Sequence, residues 1–166
     1  MLEALVELDQ RMNQSAKLLL GGGGAMLLAY NFPLSTQDID AVFYKSPIKE
    51  SDVHDDILAV ADKLDLPKDW LNPYFENFLY TLPSDYETRL QNVYTGKYLT
   101  VNALSKEDLL ILKCFAGREK DVGHARALIK RGADVDFVRN HIFKMIDAKM
   151  PKAHEATDFL DDLTDE

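Results

Sequence analysis

Apolar residues recur at helical spacing through Leu2, Leu5, Val6, Leu8 and Met12, and that stripe predicts an amphipathic helix at the start of the chain. It gives way near Lys17 to Lys17-Leu18-Leu19-Leu20, a short apolar run that predicts a buried strand. Ala25 to Tyr30 lacks Gly, Pro and β-branched residues and predicts a helix. Asp38-Ile39-Asp40-Ala41-Val42-Phe43 predicts a strand, and Asp52 to Leu64 a second amphipathic helix with Ile57, Leu58, Val60, Ala61 and Leu64 inward, closed by Pro67. The aromatic stretch Trp70 to Phe78 predicts burial against a sheet rather than a base-stacking platform. Pro83-Ser84-Asp85 predicts a turn, and Val93 to Val101 a hairpin or two short strands about Gly96. From Lys106 to Ala116 runs a helix opened by Ser105, with Asp108 as its capping partner and Leu109, Leu110, Leu112 and Phe115 on its apolar face. Ala127 to Asp136 predicts a helix end, a C-cap at Gly132 and the start of another helix, while the acidic stretch Asp158 to Glu166 predicts a frayed end. The pattern predicts one α/β (α+β) domain over residues 1–150, helical from about residue 105, with an acidic tail over residues 151–166.

Candidate chemistry gathers between Gly21 and Val42. Four glycines, Gly21 to Gly24, stand between the first strand and the following helix. Glycines there let a ligand approach the backbone, and the N–H groups and positive end of a helix favour an anion such as phosphate. Residues two apart on a strand share a face, so Asp38 and Asp40 project together, roughly 6 to 7 Å apart by the rise per residue. Two such carboxylates suit Mg²⁺ or Mn²⁺, and phosphoryl transfer asks a protein mainly to position phosphates and offset their charge. Taken singly, a glycine cluster is more often a tight turn and Asp-x-Asp a solvated sheet face. No Gly-Lys-Ser/Thr ending makes a P-loop, and no G-x-G-x-x-G register makes a dinucleotide site.

In their order, Gly22-Gly23-Gly24-Ala25 and Thr36-Gln37-Asp38-Ile39-Asp40 resemble the pattern of the DNA polymerase β-like nucleotidyltransferase superfamily. The chain is more closely similar to small bacterial and phage nucleotidyltransferase-like domains, some related to abortive-infection and toxin–antitoxin proteins. Asp85-Tyr86-Glu87-Thr88-Arg89-Leu90 and the helix series Glu107-Asp108-Leu109, Lys113, Arg118 and Lys120-Asp121 extend the resemblance over roughly residues 15 to 140. The resemblance implies a mixed β-sheet flanked by helices, an NTP donor and a hydroxyl acceptor on a protein, RNA or small molecule. It further implies that Asp38 and Asp40 hold the metal, that Gly22 and Gly23 approach the phosphates, that Thr36 offers a hydroxyl and that Lys113 offers charge. The chain departs from the pattern in three places. Leu34 stands for the usual arginine, Val122-Gly123-His124 follows Asp121 in place of a second acid, and Lys97 to Val101 lacks a third carboxylate. Asp85 and Glu87 serve as that third acid only if the chain folds them back toward Asp38 and Asp40.

The net charge of −9 opposes bulk nonspecific binding to nucleic acid. It leaves room for a small triphosphate or a protein partner, including a basic partner matched by an acidic, antitoxin-like binding protein without catalysis. Arg118, Lys120, Arg126, Lys130 and Arg131 concentrate cations in one region, ordinarily a solvated helix face. The four histidines lack ligand spacing for zinc, and the single cysteine, Cys114, sits in an apolar run that predicts core packing. One cysteine, no targeting signal and no membrane span lead to a cytoplasmic expectation.

Overall fold

The computed structural model describes residues 1–33 and 35–164. Leu34, which stands where the resembled families carry arginine, lies outside the described residues, as do Asp165 and Glu166. Two compact units divide the chain: Met1–Glu76 with Leu90–Leu104, and Asn77–Arg89 with Ser105–Glu166.

The first unit contains α1 (Leu2–Arg11), β1 (Ala16–Leu20), α2 (Gly22–Tyr30), β2 (Ile39–Phe43), α3 (His54–Leu64), β3 (Leu71–Asn72), β4 (Gln91–Thr95) and β5 (Leu99–Ala103). Its strands form one sheet in the order β3-β2-β1-β5-β4. The central place of β1 follows from its composition: Leu18, Leu19 and Leu20 have no exposed surface, as befits a strand covered on both faces. It pairs antiparallel with β2, Leu20 opposite Ala41, and parallel with β5, Leu20 opposite Ala103. β5 pairs antiparallel with β4 across an irregularity between Asn92 and Tyr94. Against this sheet α2 packs on β2 and β4, and α1 packs on α3. Trp70 is fully buried, and its indole N–H donates to the Ile57 carbonyl at 3.0 Å, so the aromatic meets its one polar need inside the core.

One buried acid ties α1 to the sheet. Asp9, only 5% exposed, accepts from the backbone N–H groups of Lys97 at 2.9 Å and of Tyr98 and Leu99 at 2.7 Å each, and from the Tyr94 hydroxyl at 3.1 Å. Burial by itself raises the Asp9 pKa, but these donors more than offset it and hold the carboxyl below its ordinary value.

The second unit is helical. Asp108 to Phe115 of α4 (Lys106–Ala116) are all buried, and α5 (Val122–Lys130), α6 (Val135–Asp147) and α7 (Ala153–Thr164) each pack on this helix. Ser105 caps it as expected, its Oγ accepting from the Asp108 N–H at 3.1 Å. Asp108, with no exposed surface, also receives Arg89 as a fork, Nη2 at 2.9 Å and Nε at 3.2 Å, while Arg89 lies 4.9 Å above the Phe137 ring. The Arg of the Asp-Tyr-x-x-Arg-Leu segment is therefore an anchor to α4.

The architecture is the expected α/β (α+β) one, a mixed sheet with helices and a mostly helical C-terminal part. Two local expectations change. The helix after the glycine cluster begins at Gly22 rather than Ala25, because its first turn is set by the stitch between Gly21 and β2 described below. The expected frayed end is largely a helix: α7 buries Ala153, Ala156, Leu160 and Leu163 against α4 and α6, while Glu155, Asp158 and Asp162 are exposed and Asp161 pairs with Arg139 of α6. Among the described residues, no helix is long and apolar enough to cross a membrane.

Candidate functional site

The turn leaving β1 is joined directly to the strand that carries the acids. The Gly21 N–H donates to the Asp40 carbonyl at 2.9 Å, and Gly21 then caps α2. A Cβ on Gly21 would stand 2.8 Å from the Phe75 ring, so the aromatic closes one side of the turn. On the other side, a Cβ on Gly22 would stand 1.9 Å from Asp40 Oδ2, and Gly22 holds φ at +55°. Space and backbone conformation both require glycine there. The half-buried Asp40 carboxylate thus lies beside the first turn of α2, where the helix dipole favours negative charge.

Asp38 and Asp40 flank Ile39, which is fully buried and donates its N–H to the Trp70 carbonyl at 2.5 Å. With Ile39 pointing into the core, strand alternation turns both neighbours away from it. Asp38 is exposed and immediately precedes β2. The Thr36 hydroxyl donates to Asp38 Oδ1 at 2.5 Å, which orients that carboxylate. Asn72 of β3 is in register with Asp40, and its Oδ1 accepts from the Tyr74 N–H at 3.2 Å.

Two carboxylates with water and phosphate oxygens suit Mg²⁺, which retains much of its hydration and rarely occupies an all-protein cage. Among the described residues, no group of three or more His, Cys, Asp or Glu is placed to hold a metal. β5 carries no acid; its Asn102 shares a register row with Leu19 and Val42. Asn102 is a carboxamide bound within the sheet, donating to the Tyr44 hydroxyl at 2.8 Å and accepting from Asn92 at 3.1 Å. The other candidates for a third acid, Asp85 and Glu87, belong to the second unit. Asp85 Oδ1 accepts from Arg89 Nη1 at 2.8 Å, and the Arg89 hydrogen bond lowers its pKa.

Lys113 is also in the second unit, where it is buried and its Nζ meets Asp121 Oδ1 at 2.5 Å. Arg118 adds its Nε to Asp121 Oδ2 at 2.5 Å, so one buried carboxylate serves two cations. Burial raises the Asp121 pKa, but hydrogen bonds from Arg118 and Lys113 outweigh it and the net displacement is downward. Nearby His124 is pushed down by burial and then by the Lys113 charge, which keeps it neutral near pH 7. Replacing Asp121 by Asn should cost about 3 kcal/mol in a denaturant titration, because it leaves the buried Lys113 and the half-buried Arg118 short of their counter-charge. In the wild type, the stability from this lowered pKa is fully present above about pH 4 and is lost as pH falls through the folded value.

Phe75 and Asn72 join the site without having been singled out in the sequence. Phe75 was one aromatic among many, and Asn72 belongs to a two-residue strand that no periodicity marks. No curated protein and no solved structure matches the chain at a significant level. Its match to a protein family is nearly full length: over residues 2–164 it follows the family described as nucleotidyltransferase of unknown function (DUF6036), and the chain, with its glycine turn against an Asp-x-Asp strand, belongs to that family.

Proposed function

We propose that this chain is a metal-dependent transferase that moves an NMP group from an NTP to a hydroxyl on a protein, RNA or small molecule. The observation that carries this reading is the approach of Gly22 to Asp40 Oδ2, which leaves no room for a side chain where helix N–H groups meet a carboxylate. In this reading Asp38 and Asp40 hold Mg²⁺ or Mn²⁺, Gly22 and Gly23 lie along the phosphates, and Thr36 fixes the Asp38 carboxylate. The bound metal would supply charge neutralisation at the triphosphate and lower the barrier to attack by the acceptor oxygen. That oxygen forms a bond to the α-phosphorus while the α–β anhydride bond breaks and pyrophosphate leaves. Phe75 shields one side of the turn from water, and Asp40 is held by the backbone stitch to Gly21.

Calorimetric titration of the four NTPs with Mg²⁺ tests the site. Wild-type binding should weaken at least tenfold in the Asp38→Ala, Asp40→Ala double variant while thermal unfolding stays cooperative. Unchanged binding would sink the assignment.

A second reading draws on Asn102. With a carboxamide on β5 and no acid on β4 or β5, neither of these strands offers the acceptor hydroxyl a carboxylate base. This favours a nucleotide-binding protein without catalysis, acting in a toxin–antitoxin or phage-defence pair. It requires a stable partner in pull-downs from the native host and no label transfer from any NTP, so robust transfer would exclude it.

A further inference from the structure

β3 brings an uncharged polar residue to the side of the acids. It runs parallel to β2, with Leu71 opposite Ile39 and Asn72 opposite Asp40. Residues in register on neighbouring parallel strands share a face of the sheet, their backbones about 4.8 Å apart. Burial agrees with that pairing: Leu71 and Ile39 are buried, whereas Asn72 and Asp40 are both half-buried. Asp38, two residues before Asp40, belongs to the same face. Three short polar side chains therefore gather at one edge of the sheet, and the third of them is an amide.

Local chemistry decides which end of that amide is spent. Pro73 has no N–H to continue the ladder and holds Asn72 extended. The next N–H, that of Tyr74, turns back and donates to Asn72 Oδ1 at 3.2 Å. Only the oxygen of a carboxamide can accept, so the NH₂ is the other end. It carries two protons, and its contact among the described residues is with the Asp69 carbonyl at 3.5 Å, the outer limit of a hydrogen bond. Asn72 thus keeps a donor to spare on the face that carries Asp38 and Asp40. The turn that orients it also delivers Phe75 to the Gly21 backbone, so amide and glycine turn are held by one short segment.

We infer that Asn72 is a substrate-binding residue, whose Nδ2 donates to a phosphate oxygen of the NTP bound at Asp38 and Asp40. The inference rests on the transferase reading. An amide NH₂ cannot ligate a cation, but it can donate to an oxyanion. Charge points the same way. Two carboxylates are offset by one divalent ion, whereas a third at this position would repel the triphosphate that an amide attracts.

The test uses the full chain as wild type, Asn72→Asp and Asn72→Ala. Affinity for the four NTPs is measured by calorimetry at saturating Mg²⁺, and affinity for Mn²⁺ alone by electron paramagnetic resonance. Asn72→Asp keeps an oxygen for the Tyr74 N–H, so its unfolding should stay cooperative, yet it exchanges the donor for a carboxylate. NTP affinity should fall about tenfold or more, as expected for a lost hydrogen bond to a charged group. Mn²⁺ affinity should rise about tenfold, because ligand charge has been added beside Asp40. Those opposite movements are a signature that an asparagine serving only the turn would not produce. Asn72→Ala should lose NTP affinity without gaining any for Mn²⁺. Unchanged NTP affinity in Asn72→Asp would show that the amide meets no phosphate, and Mn²⁺ affinity that fails to rise would show that it does not stand with the acids; either overturns the inference. A wild type that binds no NTP overturns the transferase reading as well, which separates that failure from this one.

Discussion

Alanine at position 22 should leave the protein folded and, on the proposed reading of Asp40 as a metal ligand, slow nucleotidyl transfer about a hundredfold, as expected when such a group is moved by an ångström. The new Cβ would fall 1.9 Å from Asp40 Oδ2 and 2.9 Å from its Cγ, so the carboxylate has to leave its place beside α2. The side chain can rotate away, and for that reason the fold survives. The remaining penalty is alanine's at φ +55°, about 1 to 2 kcal/mol. Thermal unfolding should therefore shift by only a few degrees for a chain of this size. Label transfer, or NTP affinity if no acceptor is in hand, should suffer far more. Loss of stability in step with loss of binding would mean that Gly22 serves only the turn.

The largest effect on stability is expected at Asp9. Asp9→Ala removes the acceptor for three backbone N–H groups and the Tyr94 hydroxyl. A buried donor left without a partner costs about 1 to 3 kcal/mol, and allowing for non-additivity the total should be about 4 kcal/mol. Asp9→Asn is the sharper experiment. Asp9 Oδ1 accepts from Tyr98 and Leu99, and Oδ2 from Lys97 and Tyr94. A carboxamide keeps one oxygen for the first pair and sets an amide N–H₂ against the Lys97 N–H, so Asn should cost roughly half as much as Ala. Because the folded pKa of Asp9 is lowered, its contribution is complete above about pH 4 and declines as pH falls through the folded value. In denaturant titrations of the three proteins from pH 7 downward, the gap between wild type and the variants should hold to about pH 4 and narrow only below it. Equal stability of wild type and Asp9→Ala at pH 7 would contradict the clamp.

The elements that the sequence specified best are those in which local and long-range forces agree. Lys106 to Ala116 is a helix by propensity, by its Ser105 cap and by the burial of Leu109, Leu110 and Phe115, and it appears with those bounds. The Gly132 C-cap is equally plain, with φ at +82° between α5 and α6. β3 is different, since Leu71 and Asn72 become a strand only because Ile39 and Asp40 offer a ladder. α7 was hidden by acids, whose number disguised the spacing of Ala153, Ala156, Leu160 and Leu163. At the candidate site the glycine turn and the Asp-x-Asp strand were each legible, because each announces itself, but the approach of Gly22 to Asp40 was not, since it depends on how α2 is set against β2. Phe75 against Gly21 was not, since nothing in a run of aromatics says which ring will meet a backbone 54 residues earlier. The partner of Lys113 was unreadable for the same reason: Asp121 is an ordinary acid until Arg118 and Lys113 are brought to it.

The parallel pairing of β1 with β5 has a consequence for the nascent chain. β2 is made soon after β1 and can cover one edge of Leu18 to Leu20, but the other edge waits for Leu99 to Ala103. At roughly 5 to 20 residues per second, translation takes on the order of ten seconds to deliver that second neighbour. Throughout that interval the most apolar strand of the protein has an open ladder, the kind of edge that recruits other chains. Crowded ribosomes would find this protein most adhesive in mid-synthesis, before β5 has emerged.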